Sequence, residues 1–195
     1  MLAATAELVA ERGYRNTAIT RICKAAGVGR NTFYEHFESK EDCFLATFDD
    51  GVDQARRRIA DAVDPEAEWS EQLRAGLREL LRLIASELAL ARTCLVESLA
   101  AGPAAIEHYE SVLASLIPFF ARGREAGSRS GKVPEAMEET IIRGLAANLN
   151  QRLMMDEGDE LEALLSDLLE FSLAPYLGDE AARTAAEQTR ASAAS

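Results

Sequence analysis

The chain is poor in everything that builds sheets, staples or membrane spans. Only 6% of its 195 residues are aromatic, there are five prolines and two histidines, and alternating Val/Ile/Thr/Tyr runs are almost absent. Apolar residues recur instead at spacings of three and four, so an all-α fold is expected. The three cysteines, Cys23, Cys43 and Cys94, are odd in number, widely separated and never arranged as CxxC. That excludes a disulfide framework and a zinc knuckle, and each reads as a small buried apolar residue. No apolar run approaches the roughly 20 residues that span a bilayer, and no signal-peptide succession opens the chain, which points to a soluble cytoplasmic protein. With His36 and His108 as the only histidines, the sequence marks out no Ser-His-Asp, Cys-His or metal-ligand set, although Cys94 and His108 could meet in space. Neither enzyme activity nor a cofactor is expected.

What is present is negative charge, unevenly placed. The net charge is -12, yet Met1 to Phe48 carries six basic and six acidic residues, so the whole excess lies after Phe48. A strongly acidic chain argues against a polyanionic partner, because nucleic-acid binding rests on neutralising phosphates. Only the neutral N-terminal quarter escapes that argument.

Gly and Pro punctuate the helical pattern. Helices are expected over Leu2 to Arg12, Ala18 to Ala26 and Gly29 to His36, ending in turn at Gly13, Gly27 and the segment before Ser39. A long fourth helix should run from Ser39 to Val63, followed by helices over Glu68 to Ser86, Leu88 to Ala101, Ala104 to Glu125, Pro134 to Met155 and Glu160 to Tyr176. Gly123 to Val133 reads as a loop, and 178–195 as a polar, Ala-rich tail expected to be disordered. Pro118 should kink its helix by removing a hydrogen bond to Ala114.

The segment from Thr17 to Phe37, TAITRICKAAGVGRNTFYEHF, carries the function. Ile19, Ile22, Cys23 and Ala26 form one apolar stripe on a short helix, with Thr17 or Ala18 at its N-terminal edge. Gly27 can end that helix in a left-handed conformation, and Val28 can plug the turn. A second helix starts within about two residues, so the two must cross steeply, the geometry of a helix-turn-helix whose second helix enters a major groove. Its outward side carries Arg30, Asn31, Thr32 and Tyr34, with His36 beyond, while Phe33 and Phe37 point inward. Arg and Asn can read guanine and adenine edges as well as phosphates. Lys40 stands at the next helix N-terminus, where the dipole also favours a phosphate.

Over Met1 to Phe48, the succession AELVAERGY, TAITRICKAAGV, GRNTFYEHF and SKEDCF resembles the DNA-binding segment of the TetR family of bacterial transcriptional regulators. The resemblance implies a domain at 1–48 that binds a double-stranded DNA operator, with Thr17, Thr20, Gly29, Arg30, Asn31, Thr32, Tyr34, His36 and Lys40 facing it. Thr17 and Tyr34 would contact phosphates, and Arg30, Asn31 and Thr32 the bases. One departure concerns the short basic arm that family members usually carry before the first helix, since Met1 here stands in the first helical turn. Losing about two phosphate contacts would flatten the salt dependence by roughly 1.8 log units per log unit of salt.

The remainder, 49–177, is expected to bind an effector and to dimerise. At 100° per residue, Leu161, Leu164, Leu165, Leu168, Leu169, Phe171, Leu173 and Tyr176 cover an arc of about 200°, twice what one core requires. Met137, Ile141, Ile142, Leu145, Ala146, Leu149 and Leu153 cover about 180° of the helix before. Two helices with surplus apolar surface suggest a self-complementary four-helix homodimer interface, here through Ile141, Leu145, Leu149, Arg152, Leu161, Leu165, Leu168 and Leu169. Asn148 and Arg152 lie within the apolar face and read as polar specifiers of that interface or as the edge of a ligand cavity. Candidate walls for the cavity are Phe48, Trp69, Leu73, Leu77, Cys94, Tyr109, Leu113, Leu116 and Phe120, and their character favours a lipophilic or aromatic effector. Arg56 to Arg58, and Arg74, Arg78 and Arg82, read as solvated helix faces, and Asp156 to Glu160 as a helix-helix turn rather than a calcium loop. The expected function is a dimeric repressor released from a palindromic operator by its effector. The alternative is a helical small-molecule or partner-binding protein that has lost DNA binding.

Overall fold

The computed structural model describes residues 1–127, 133–155 and 158–193, the side chains of 158–160 and 193 excepted. Every regular element among them is helical. Helix α1 (Leu2–Arg12) ends at Gly13, α2 (Ile19–Ala26) at Gly27, and α3 (Arg30–His36) at Phe37, as the punctuation predicts. The long α4 (Lys40–Ala62) is started by Ser39, whose hydroxyl accepts the Asp42 N–H at 3.0 Å, while the Asp42 carboxylate accepts the Glu38 N–H at 2.9 Å. These side chains satisfy backbone donors that a helix start otherwise leaves open.

Helix α5 (Trp69–Ser86) is the axis of the larger core. Leu73, Leu77, Leu81 and Ile84 recur at helical spacing and are all buried. Next come α6 (Leu88–Arg92), a single π-helical turn at Thr93–Glu97, and α7 (Ser98–Ala101). Helix α8 (Pro103–Ser115) and α9 (Ile117–Ala121) are separate, because Pro118 cannot donate a backbone hydrogen bond and the chain breaks at Leu116. Gly123–Ala126 forms a short turn, α10, where the sequence suggests a loop; 128–132 lie outside the described residues. Gly123 is there for close approach, since a Cβ would stand 2.7 Å from the Trp69 ring. Helices α11 (Met137–Met154) and α12 (Leu165–Leu177) come after it, α12 preceded by a 3-10 segment at Gly158–Leu164. The expected turn at Asp156 to Glu160 falls on residues whose backbone or side chains lie outside the description.

The tail departs from expectation. Asp179–Ala193 is a helix, α13, lying along α12. Ala182, Ala186 and Thr189 form a narrow buried stripe, and Arg190 donates to Ser166 Oγ at 2.9 Å and to Asp167 at 2.7 Å. Small side chains let the two helices approach closely, so a segment of low hydrophobicity still finds a packed place. Helix α13 also covers part of the apolar arc on α12 that the sequence pattern leaves without a partner. Of the arginines read as solvated, Arg58 instead ties α4 to α5 through Glu79 at 2.6 Å.

One buried ion pair organises the start of α11. Arg124 makes a two-pronged contact with Glu138, at 2.6 and 2.7 Å, and donates to the carbonyls of Val133 and Pro134; the Tyr176 hydroxyl donates to Glu138 at 3.2 Å. These hydrogen bonds, Arg124 foremost, hold the Glu138 carboxyl below its ordinary range although burial opposes them. A depressed acid contributes stability that is complete above the unfolded pKa, about 4.3, and is lost as pH falls through the folded value. Arg124→Met should therefore lower the urea midpoint at neutral pH more than Arg124→Met combined with Glu138→Leu, because the single change strands a buried charge. Glu138→Gln should flatten the acid limb of the stability profile.

Candidate nucleic-acid interface

The turn between α2 and α3 sets the interface. Gly27 is left-handed (φ 68°, ψ 26°), its N–H reaches the Lys24 carbonyl at 3.3 Å, and the Val28 N–H reaches the Cys23 carbonyl at 2.9 Å. This is a Schellman closure, and the partly buried Val28 completes it by packing on the core below. That core holds Ile22, Cys23, Phe33 and Cys43, with Ile19, Val28 and Phe37 at its margin. The Thr5 hydroxyl and Cys43 thiol meet at 3.3 Å, and burial pushes the Cys43 thiol pKa up.

Phe33 is fully buried, which fixes the rotation of α3 about its axis. Arg30, Asn31, Tyr34 and His36 consequently lie exposed, with Thr32 half-buried and Gly29 and Thr20 exposed beside them. Tyr34 is 48% exposed, and the Arg30 guanidinium carbon sits 5.9 Å from its ring centroid. One face thus gathers a cation, an amide, hydroxyls and an aromatic edge, which are the groups that contact phosphates and base edges.

Two of the expected contacts stand differently. Thr17 is 1% exposed, its hydroxyl donates to the carbonyls of Leu8 at 3.2 Å and Gly13 at 2.9 Å, and its N–H reaches the Tyr14 carbonyl at 3.2 Å. It ties the α1–α2 connection together rather than facing solvent, because a buried hydroxyl must find a partner and carbonyls near the end of α1 lie within its reach. Lys40 is half-buried, donating to the Tyr14 carbonyl at 2.9 Å with its ammonium 4.1 Å from the Tyr14 ring centroid. Burial lowers its pKa. Tyr14, whose role no local pattern announces, also stacks edge-on against Phe44 at 5.0 Å.

The candidate effector walls divide between two packed clusters. Phe48 and Tyr109 pack with Ala146, bordered by Cys94 and Leu113; Trp69, Leu73, Leu77 and Phe120 belong to the larger core around α5. Leu113 borders both clusters, whereas Leu116 is 42% exposed at the α8–α9 break and lines nothing internal. The two best-formed hollows among the described residues are open surface concavities, at Leu177–Ala181 and beside Leu8, Arg21, Lys24 and Ala25, and neither includes any of these nine positions. His108 meets Asp49 at 2.6 Å, whereas the Cys94 thiol lies 3.8 Å from the Phe48 carbonyl and burial, then Asp50 and Asp49, pushes its pKa up to about 12.

The expected dimer residues lie largely inside the chain. Ile141, Leu145, Leu149, Leu161, Leu165, Leu168 and Leu169 are buried within a single chain, and Arg152 is half-buried near the end of α11. Helices α5, α9 and α13 are among those packed against this helix pair. The exposed side of this helix pair carries Thr140, Ala147 and Gln151 on α11 and Phe171 on α12, the last lying over Gly144.

Among the described residues no group of three His, Cys, Asp or Glu side chains could hold a metal ion, and no helix is long and apolar enough to cross a membrane. Residues 1–47 match the family of bacterial regulatory proteins, tetR family. The fatty acid metabolism regulator protein of Bacillus subtilis (strain 168) is 24% identical over 172 residues, 86% of this chain and 89% of its own. The HTH-type transcriptional regulator EthR of Mycolicibacterium smegmatis is 25% identical over 156 residues, 80% of this chain and 71% of its own. Among solved structures, the fatty acid degradation regulator FadR from Bacillus halodurans superimposes with a TM-score of 0.77 at 22% identity, covering 88% of this chain and 92% of that one. FadR from Bacillus subtilis, solved in complex with stearoyl-CoA, gives 0.76 at 23% identity, covering 89% and 96%. With a helix whose polar face is turned outward by a buried Phe33 in the very segment that matches, residues 1–47 are similar to the DNA-binding segment of the tetR family of bacterial regulatory proteins, and the whole chain shares the fold of regulators of that kind.

Proposed function

We propose that this chain is a cytoplasmic, dimeric repressor that holds a palindromic operator through residues 1–48 and is released by a long-chain acyl-CoA bound within 49–177. The observation that carries the DNA-binding half is the exposed Arg30, Asn31 and Tyr34 face of α3, with Thr20, Gly29, Thr32, His36 and Lys40 around it. The effector class is supported by the likeness to regulators whose names specify fatty acid metabolism or degradation, which extends over most of this chain and not only its N-terminal quarter. An acyl chain would enter along the seam where Leu113 and Leu95 border both the Phe48 and the Trp69 clusters. Throwing occupancy from 99:1 to 1:99 requires the effector to prefer the released conformer by about 10⁴-fold, roughly 5.5 kcal/mol.

The subunits pair through the outer side of α11 and α12, around Ala147, Asn148, Gln151 and Phe171. Support comes from Asn148, whose side-chain carbonyl oxygen is buried with no hydrogen-bond partner among the described residues. A second copy can supply a donor there, and an unmet buried acceptor is otherwise costly. Two copies present two recognition helices to half-sites about one DNA turn, or a multiple of it, apart.

Arg30→Ala should weaken operator binding by about 1–3 kcal/mol in fluorescence anisotropy while leaving the dimer intact. Thr17→Val should instead lower stability by about 1 kcal/mol and leave the affinity of the folded fraction unchanged. Ala147→Arg should yield a monomer in light scattering with its helical circular dichroism preserved; Leu149→Ala should remain dimeric and lose about 2–5 kcal/mol of stability. Stearoyl-CoA should strip the operator from the protein, and acetyl-CoA at equal concentration should not. Retention of DNA with stearoyl-CoA in excess would discard the acyl-CoA assignment.

A further inference from the structure

The helix that begins as α6 does not continue regularly. At Thr93–Glu97 one turn is π-helical, accommodating one residue more than an α-turn does. It is also where the larger core meets the N-terminal helices. The buried Thr93 hydroxyl donates to the Ala6 carbonyl of α1 at 3.2 Å and to the Ala89 carbonyl at 2.9 Å. The Cys94 thiol lies 3.8 Å from the Phe48 carbonyl of α4, and the Leu95 carbonyl accepts from Asn150 of α11 at 2.5 Å. At the end of the turn, the Glu97 carboxylate accepts the Tyr14 N–H at 2.7 Å.

Tyr14 is thereby gripped from two sides, by the Glu97 anion at its N–H and by the Lys40 cation at its carbonyl and ring. It stands between α1 and α2, and Lys40 opens α4, so this one residue joins the larger core to both elements that frame the recognition helix. Side chains add to the backbone bonds of the turn, with Thr93, Ser98 and Asn150 donating to the carbonyls of Ala89, Cys94 and Leu95. Rewinding it to α-helical register turns α7 by about 100° relative to α6, enough to take Glu97 off Tyr14.

We propose that Glu97, carried on the π-turn, is a positioning residue that holds the DNA-binding helices in their operator-competent arrangement, and that effector binding releases it by rewinding the turn. The effector part rests on the acyl-CoA-released reading above. The present conformer is the competent one: both clusters flanking the entry seam are closed, with Phe48, Leu73 and Trp69 all buried.

The test uses the full chain with Glu97→Ala and Glu97→Gln, an operator duplex and stearoyl-CoA. Without effector, Glu97→Ala should bind the operator about tenfold more weakly, and its Tyr14 amide should exchange faster with solvent. Glu97→Gln keeps an acceptor and should recover most of both. Because loss of the latch favours the released conformer, Glu97→Ala should also bind stearoyl-CoA more tightly than the wild type, an effect that plain destabilisation does not produce. In the wild type, stearoyl-CoA should speed amide exchange at Tyr14 and across 93–98. Unchanged operator affinity in a folded Glu97→Ala dimer, or a Glu97→Gln variant as impaired as Glu97→Ala, overturns the proposal. If stearoyl-CoA fails to bind the wild type, the acyl-CoA reading falls, and the effector-free operator and exchange measurements still decide the role of Glu97.

Discussion

Complete burial of Phe33 decides which side of the recognition helix can meet DNA. A seven-residue helix has little stability of its own, so α3 exists because its aromatic side chain fills the space between α2 and α4. Rotating α3 to hide Arg30 or Asn31 would drag Phe33 into water, forfeiting about 1.5–3 kcal/mol of apolar burial. The polar face is therefore outward by default, and the Gly27 turn, the Val28 plug and the Ser39 cap set its tilt and height. Everything that DNA would touch is a by-product of one hydrophobic placement.

Local features of this kind are legible in the sequence. Gly13 and Gly27 end helices wherever the chain is read, because their backbone conformations have positive φ and few other residues tolerate them. The inward stripe on α2 and the alternation of Phe33 and Tyr34 on α3 need no long-range information. Features that depend on partners far away in sequence are not legible in this way. Thr17 looks like a surface threonine until the carbonyls of Leu8 and Gly13 are seen above it, and the Lys40 ammonium looks free until Tyr14 comes to meet it.

The helical tail and the burial of the α12 leucines are connected. The Ala-rich end of the chain carries too few large apolar residues to announce a packed helix, so its pattern reads as disorder. Without it in the core, the broad apolar arc on α12 has no neighbour, and a second subunit is needed to cover it. Once α13 is laid along α12 most of that arc is covered within one chain, with Phe171 left exposed. The face left over is smaller and more polar, built from Ala147, Gln151, Asn148 and Phe171 rather than from a row of leucines.

If Arg30 reads a base as proposed, its contact with Tyr34 would bear on how bases are told apart. A free arginine side chain sacrifices up to about 2 kcal/mol of rotational freedom when it is fixed, for a correct and an incorrect base alike. Here the guanidinium already rests against a ring 5.9 Å away, on a helix turn that does not move independently of Phe33. Part of the ordering is done before DNA arrives, so a mismatched base meets a cation that has few alternative positions in which to compensate. Selectivity at that step would then come from stiffness as well as from the hydrogen bonds themselves.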